Sequence, residues 1–432
     1  MLQGALALGR ESMSHWRHKR AVLRALRFAP DYAQLEMFCK LGEADSAKLL
    51  RWLDQSGLSL YLLSRLNEES IENRLPRNFL GALEKRLQLN RARTEEWLRD
   101  FALISESLGK RKIRWVALKG LTLVPQYCPR LEVRHQADMD LWVERRDLDD
   151  ILSLLAEHGF APRGGATKSH MSLTGPGDER ASLNESIYKP GRPRMLELHF
   201  SLLEDDLPFQ VAYPEGQWER AVERRFSKIA FSSLAPADMF IYQAYHAFTH
   251  LVSYWTRLSW LYEIGRFLDA HPDCESLWTD VCVSIGGNAV LREAVGMVID
   301  LVSQLFSPRV SPVLAAYCLS NLPSEIVLWN RHFAERVTLS GPMGDKAALL
   351  IQRHFIQDRV FWSKHLVQRL FPMRSKHYLS KICGKTVVPT IADRRNQLDF
   401  MLQKLGFHGK FLFLYPLCLL RWQFLKMAKS RG

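Results

Sequence analysis

Hydrophobic residues recur at helical spacing in the first and last parts of the chain. Early in the sequence, leucines lie three or four positions apart with charges between them, and the proline-free stretch 78–110 predicts a long helix that ends near Gly109. The same spacing returns over residues 237–270 and 289–306. Both ends of the chain are therefore predicted to be helical.

The middle of the chain shows patterns that are typical of strands. Residues 113–118 and 138–143 are short β-rich runs, and residues 195–202 alternate between apolar and polar side chains. A helix is predicted over residues 147–158, between the second and third of these runs. Strand, helix and strands in this order indicate a small sheet domain and an α+β fold class. The predicted division is a helical region 1–110, a sheet domain 111–235 and a helical domain 236–432.

Composition and charge narrow the class of protein. The 432 residues include 47% hydrophobic and 24% charged residues, which excludes disordered and fibrous proteins. Lys and Arg number 59 against 46 Asp and Glu, a net charge of +13 that favours polyanionic partners such as nucleotides, nucleic acid or anionic lipid. Basic residues also cluster near both termini, at 15–27 and 410–431, which fits either an ordinary solvated helix face or contact with a polyanion or a membrane surface.

The cysteines and the apolar runs bear on location. Seven scattered cysteines without a CxxC pair indicate neither a disulfide framework nor a zinc ribbon. The start of the chain lacks the basic segment of a signal peptide, and no uninterrupted apolar stretch reaches the 18 residues of a transmembrane helix. A cytoplasmic protein without a transmembrane segment is therefore expected. The apolar run 411–420 contains Pro416 and is expected to pack on the helical domain.

Asp138-Met139-Asp140 is the most informative triplet for chemistry. Residues i and i+2 of a strand project to the same face, so the two carboxylates should stand side by side. Neighbouring carboxylates repel one another unless they are protonated or share a cation, and Mg²⁺ takes one or two carboxylates together with phosphate oxygens. By itself, an Asp-x-Asp also fits a solvated strand end.

Two further features strengthen the case for a site. Lys119-Gly120 follows the strand 113–118 and predicts a turn that exposes backbone N–H groups and a positive charge to an anion. Glu197 and His199 lie on the face of their strand opposite Leu196 and Leu198, so Glu197 supplies a third carboxylate if the two strands are neighbours. The plain alternatives are an ordinary β–α turn and a surface glutamate.

Other motifs give weaker signals. His246 and His250 are four residues apart on a predicted helix, but the stretch lacks the Glu of a zinc-binding HExxH, so both are expected to be core or site-lining residues. No P-loop, no GxGxxG and no GxSxG sequence occurs.

Several motifs in order resemble a known family. Leu118-Lys119-Gly120, Arg134, Asp138–Val143, Glu197-Leu198-His199 and the stretch from Arg257 to Glu263 resemble the large, mostly uncharacterised bacterial nucleotidyltransferase family of the DNA polymerase beta superfamily. The resemblance covers about residues 80–270. It departs from the family pattern at Ala137, Phe200 and Glu263, where Gly, Trp and Asp are usual, but no departure removes a carboxylate.

The resemblance implies an enzyme that transfers a nucleoside monophosphate from an NTP, expected to be ATP, to an acceptor hydroxyl of unknown identity with release of pyrophosphate. Asp138, Asp140 and Glu197 would be the catalytic residues and would hold Mg²⁺, with Glu197 helping to deprotonate the acceptor. Lys119, Gly120, Arg134 and His199 would bind the nucleotide.

Two alternatives remain open on the sequence alone. A non-catalytic adaptor or polyanion-binding protein on the same fold is compatible with the positive charge and the basic termini. Kinase-like transfer of the terminal phosphoryl group is a third hypothesis, which would release a nucleoside diphosphate in place of pyrophosphate.

Overall fold

The computed structural model describes residues 15–29, 32–177, 187–203, 209, 211–253, 255–341, 344–370 and 391–430. Within these ranges it shows helices at both ends of the chain and a mixed sheet between them.

Seven strands form one sheet in the order β3-β4-β5-β2-β1-β7-β6. Their bounds are Trp115–Ala117 (β1), Asp138–Val143 (β2), Ala161–Pro162 (β3), His170–Thr174 (β4), Met195–His199 (β5), Val222–Phe226 (β6) and Ile229–Ser233 (β7). β2 pairs in parallel with β5 and antiparallel with β1, which places it at the centre of the sheet. The strands span residues 115–233, inside the predicted sheet region.

Helices occupy most of the rest of the described chain. Their bounds are residues 15–25 (α1), Tyr32–Leu35 (α2), Glu43–Ser56 (α3), Ser59–Glu68 (α4), Arg77–Lys110 (α5), Leu148–Glu157 (α6), Gln217–Arg220 (α7), Pro236–Val252 (α8), Leu258–Ala270 (α9), Glu275–Ile285 (α10), Ala289–Phe306 (α11), Pro312–Leu314 (α12), Ser324–Trp329 (α13), Glu335–Leu339 (α14), Ala348–Phe355 (α15), Arg359–Leu370 (α16) and Ile391–Ser430 (α17). Short 3₁₀ or π segments connect several of them.

The two faces of the sheet meet different layers, as the period-two alternation of strands requires. On β2, Met139 and Leu141 pack with apolar residues of α5 and α6. Trp142, which points to the other face, belongs to the large core that the helices before and after the sheet share. The even-numbered positions of β2, including both aspartates, therefore face away from α5 and α6.

The sequence expectations for the main elements are confirmed. The long helix predicted over 78–110 is Arg77–Lys110, the strand at 138–143 is β2, and the helix at 289–306 is Ala289–Phe306. The strand predicted over 195–202 is shorter and ends at His199. The hairpin of β6 and β7 was not predicted, because its two-residue turn contains Ser227 at a φ of 54° in place of the usual Asn or Gly. The α+β class is confirmed.

The C-terminal helix α17 differs from the expectation of a run interrupted at Pro416, because it continues through this proline. Its segment Leu405–Lys429 is long and apolar enough, by length and composition alone, to cross a membrane. Three of its side chains nevertheless belong to the helical core, Tyr415, Cys418 and Trp422, and Phe411 on the same side is also buried. The expected packing on the helical domain is therefore confirmed for one face of the helix.

Candidate active site

The parallel pairing of β2 and β5 brings two carboxylates side by side. The register places Asp140 opposite Glu197 and Trp142 opposite His199. Along β5, Leu196 and Leu198 are fully buried while Glu197 and His199 are partly exposed on the other face. The expectation that Glu197 comes from a strand beside the aspartate strand is therefore met by the sheet topology.

Asp140 is the centre of a compact polar cluster. Its side chain is completely buried, and its Oδ1 accepts a hydrogen bond from Lys119 Nζ at 3.0 Å. His199 Nε2 lies 3.1 Å from the same oxygen and 3.7 Å from Glu197 Oε2. The backbone explains why Lys119 arrives here, because Leu118 N–H donates to the Asp140 carbonyl oxygen and so continues the pairing of β1 with β2. Strand pairing thus brings together residues 119, 140, 197 and 199.

The cluster fits a divalent cation. Asp140, Glu197 and His199 each offer a ligand atom, and these atoms lie within 4.8 Å of one another. The second oxygen of Asp140, Oδ2, is buried and has no hydrogen-bond partner among the described residues. A buried carboxylate oxygen without a partner is costly, and a hard cation with oxygen ligands would satisfy it.

The pKa shifts agree with a site that is short of positive charge. Burial alone would raise the pKa of Asp140, but the Lys119 ammonium and His199 outweigh it and hold this pKa well below its usual range. Burial, together with the charges of Asp140 and Asp138, raises the pKa of Glu197 to about 7. Burial would lower the pKa of Lys119, yet the Asp140 carboxylate raises it, so the ammonium stays charged. Asp140 is thus an anion at neutral pH, whereas Glu197 is held near its point of half-ionisation.

Asp138 lies at the start of β2, on the same face as Asp140. Burial and the neighbouring Asp140 charge raise the pKa of its carboxyl group. Its carboxylate oxygens do not belong to the closely spaced group of ligand atoms, which comes from Asp140, Glu197 and His199. Its backbone carbonyl accepts a hydrogen bond from Trp97 Nε1 of α5 at 3.2 Å. The structure therefore places Asp138 beside the cluster rather than inside its tightest part.

Gly120 forms the turn after Lys119 and begins the 3₁₀ helix Gly120–Leu123. Its φ is +70°, and a Cβ atom there would lie 2.7 Å from Trp97 Cη2. Only glycine fits both the backbone angle and the contact. The predicted turn is present. Trp97 lies against Gly120 and donates a hydrogen bond to the backbone of Asp138, so it stabilises both residues.

Arg134, the candidate phosphate contact, is buried in an ion pair. Its Nε donates to Glu263 Oε1 at 2.9 Å and its Nη1 donates to Gln136 Oε1 at 2.9 Å. Tyr61 donates to the same Glu263 oxygen at 2.8 Å. Burial would lower the pKa of Arg134, but Glu263 raises it, so the guanidinium remains charged. The arginine that precedes β2 is thus bound to the glutamate that ends the Arg257–Glu263 motif.

A cavity of about 200 Å³ opens beside the cluster. Lys119, Glu197 and His199 line it from the sheet. The opposite wall comes from α8, whose Tyr242, His246 and His250 follow one another at four-residue intervals. Burial and the Lys119 charge lower the pKa of His246 well below its usual value, so its imidazole is neutral. The expectation that His246 and His250 line the site is confirmed.

Sequence reasoning missed several residues of this cavity. Tyr242 lies one turn before His246 on the same helix face, so its spacing could have indicated it. His170 faces His199 in the pairing of β4 with β5, and Ser169 and Ser201 lie at the ends of these strands. Strand register cannot be read from separate strands, so nothing in the sequence pointed to these three residues.

Residues 42–307 match the family described as Uncharacterised nucleotidyltransferase. The matched range contains the sheet, the polar cluster and the α8 wall of the cavity, and it covers more than half of the chain. No curated protein sequence matches the chain significantly. The nucleotidyltransferase resemblance of the motifs is thereby confirmed, and the chain belongs to this family of uncharacterised nucleotidyltransferases.

Proposed function

We propose that the protein transfers a nucleoside monophosphate from an NTP, with ATP as the expected donor, to an acceptor hydroxyl and releases pyrophosphate. We also assign its sheet to the DNA polymerase beta type. The observation that carries the proposal is the pairing of Asp140 with Glu197 across two parallel strands. Lys119 Nζ and His199 Nε2 lie 3.0 and 3.1 Å from Asp140 Oδ1, and a cavity opens beside this cluster.

Asp140 and Glu197 would hold Mg²⁺, with Asp138 as the third acid beside them. A bound divalent ion neutralises triphosphate charge and stabilises the pyrophosphate leaving group. Asp140 Oδ2 has no hydrogen-bond partner in the described part of the chain, and this and the raised pKa of Glu197 both support a cation at this place.

Lys119 and Gly120 would bind the triphosphate. The Lys119 ammonium stays charged despite burial, and it lines the cavity in which a nucleotide would lie. The positive φ of Gly120 turns the backbone sharply just after this lysine. His199 lines the same cavity and is proposed to donate a hydrogen bond to a phosphate oxygen.

Arg134 is proposed to contact a phosphate while it keeps its bond to Glu263. A guanidinium has five N–H donors, and the hydrogen bonds to Glu263 and Gln136 use two of them. The same ion pair fixes the chain just before β2, so Arg134 also positions the aspartates.

Glu197 is proposed to accept the proton of the acceptor hydroxyl. A general base is most effective when its pKa lies near the working pH, and the pKa of Glu197 is about 7. The side chain lines the cavity, where an acceptor hydroxyl has access to it.

Transfer of label from α-³²P-ATP to acceptor in a cell extract, together with pyrophosphate release, tests the proposal. We expect Asp140→Asn and Glu197→Gln to lower the rate by about 100-fold or more, since each removes charge that acts in the transition state. Glu223→Gln is the control, because Glu223 is an exposed glutamate on the outer strand β6 of the same sheet. Undiminished transfer in both site variants would reject the assignment, and nucleoside diphosphate as product would favour the kinase-like reaction.

A further inference from the structure

The two faces of the C-terminal helix α17 have different surroundings. Phe411, Tyr415, Cys418 and Trp422 are each less than a tenth exposed, and the last three belong to the helical core. The Trp422 ring centroid is 5.9 Å from that of Phe333, which precedes α14. This face is fixed by contacts with the protein.

The opposite face is apolar and open to solvent. Phe413, Leu417, Leu420, Phe424 and Met427 are between 54% and 78% exposed. Their intervals of four, three, four and three residues place them in one stripe along the helix. Five large apolar side chains in one exposed stripe exceed what scattered surface hydrophobics explain, and they indicate an interaction surface.

Charges along residues 400–430 of this helix have one sign. Residues 400–430 contain no Asp or Glu, whereas Lys410, Arg421 and Lys429 are exposed. Lys426 differs from these three residues, because it is half-buried and forms an ion pair with Glu325 of α13. The stripe is therefore accompanied by basic groups that have no acidic neighbours on their own stretch of helix.

A second helix extends this surface. α16 contacts α17 and exposes Val360, Phe361 and Val367 beside the exposed Arg359 and Lys364. Near one end of the pair, Lys346 Nζ contacts both the Leu370 carbonyl oxygen and His408 Nδ1. Apolar and basic residues thus share two adjacent helices.

We propose that the exposed face of α17, with α16 beside it, binds the surface of a membrane that contains anionic lipid. An apolar stripe flanked by basic residues is typical of helices that lie in the interface plane. A second copy of this chain is disfavoured as the occupant, because paired stripes would bring like-charged basic residues together. Crossing the membrane is disfavoured as well, because it would remove Tyr415, Cys418 and Trp422 from the protein core.

Cosedimentation of the full-length protein with vesicles tests the proposal. We expect binding to vesicles of phosphatidylcholine and phosphatidylglycerol, much weaker binding to phosphatidylcholine alone, and a decrease when the salt concentration rises. Leu417→Glu combined with Leu420→Glu should lower the bound-to-free ratio by about tenfold or more. Lys410→Glu combined with Arg421→Glu should weaken binding to the anionic vesicles and reduce its salt dependence.

Val283→Glu is the matched control, because Val283 is 73% exposed on α10, away from this helix pair in sequence. It should bind like the unchanged protein. Equal binding by the Leu417/Leu420 variant, or equal binding to both vesicle types, would overturn the proposal. A lipid-free dimer in light scattering that the same variant dissociates would assign the stripe to a second copy instead.

Discussion

Two carboxylates that face each other across one strand pair have opposite protonation tendencies. Asp140 accepts a hydrogen bond from Lys119 and stays ionised, while burial and the charges of Asp140 and Asp138 raise the pKa of Glu197. Groups whose environments move their pKa values apart in this way are frequent in catalytic sites. This difference agrees with the proposal that Asp140 is a permanent anion of the cation site, and that Glu197 both binds the cation and accepts a proton.

The raised pKa of Glu197 predicts a pH-dependent stability. The pKa is about 7 in the folded protein against 4.5 as the ordinary value, so the folded state binds this proton more tightly. Its contribution to the free energy of unfolding is complete below pH 4.5 and is lost as the pH rises through 7. Without metal, we expect Glu197→Gln to be more stable than the unchanged protein at pH 8 by about 2 kcal/mol.

Urea unfolding at pH 5 and pH 8 measures this difference. Added Mg²⁺ should stabilise the unchanged protein at pH 8, because a cation relieves the repulsion among the acids, and it should stabilise Glu197→Gln much less. An equal difference between the two proteins at both pH values would contradict the account of Glu197.

Gly120 gives a second prediction at this scale. Gly120→Ala should lower the free energy of unfolding by about 1–3 kcal/mol and weaken nucleotide binding. Alanine is strained at the positive φ of this position, and its Cβ would lie only 2.7 Å from Trp97. Gly81→Ala is the matched control, since Gly81 lies inside α5 with nothing within 4 Å of an added Cβ. The control should stabilise the protein by about 0.5–1 kcal/mol. Equal effects of the two changes in thermal unfolding would refute the requirement for glycine at 120.

At the scale of elements, the ion pair between Arg134 and Glu263 joins the chain before β2 to helix α9. Both side chains are largely buried, so loss of one partner leaves an uncompensated charge. Arg134→Ala should cost about 3–5 kcal/mol of stability. Arg130→Ala is the control on the same loop, because Arg130 is exposed and its pair with the half-buried Glu132 at 3.5 Å is worth about 0–1 kcal/mol.

Chemical denaturation of both variants and of Glu263→Ala checks this prediction. The stability losses from Arg134→Ala and Glu263→Ala should not add when the two changes are combined, since the second change removes the buried charge that the first left unpaired. Additive losses, or a cost for Arg134→Ala as small as that for Arg130→Ala, would show that the pair does not hold β2 in place.

The elements that sequence reasoning located share a strong local signal. The 34-residue α5 has apolar positions at helical spacing and lacks proline, and β2 and β5 carry clear strand patterns. Lys119, Asp140, Glu197 and His199 were found because short motifs mark them. Trp97, Tyr61 and His170 were not found, because their roles depend on how α5, α4 and β4 pack, and tertiary contacts leave no pattern in a single sequence.

At the scale of the whole molecule, helices from both ends of the chain build one core around the sheet. Leu53 and Tyr61 from before the sheet belong to the same buried cluster as Phe267 and Phe306 from after it. Sequence order predicted a helical region, a sheet and a second helical region, but periodicity carries no information on which helices meet. The division at residues 110 and 235 stays a prediction.

At this scale, a frame of helices surrounds the sheet, and the proposed nucleotide-transfer site lies on the sheet face opposite α5 and α6. The +13 charge fits a polyanionic substrate but does not distinguish a nucleotide from other polyanions. Only ligand binding that depends on the acidic cluster makes this distinction.

Calorimetric titration of ATP into the protein, with Mg²⁺ and then with EDTA, is the most direct test of the central claim that Asp140 and Glu197 share a cation with a nucleotide. We expect ATP binding that requires Mg²⁺, that falls by about tenfold or more in Asp140→Asn and in Glu197→Gln, and that is unchanged in Glu223→Gln. ATP binding of equal strength with EDTA, or in both site variants with their folds intact by circular dichroism, would contradict the account.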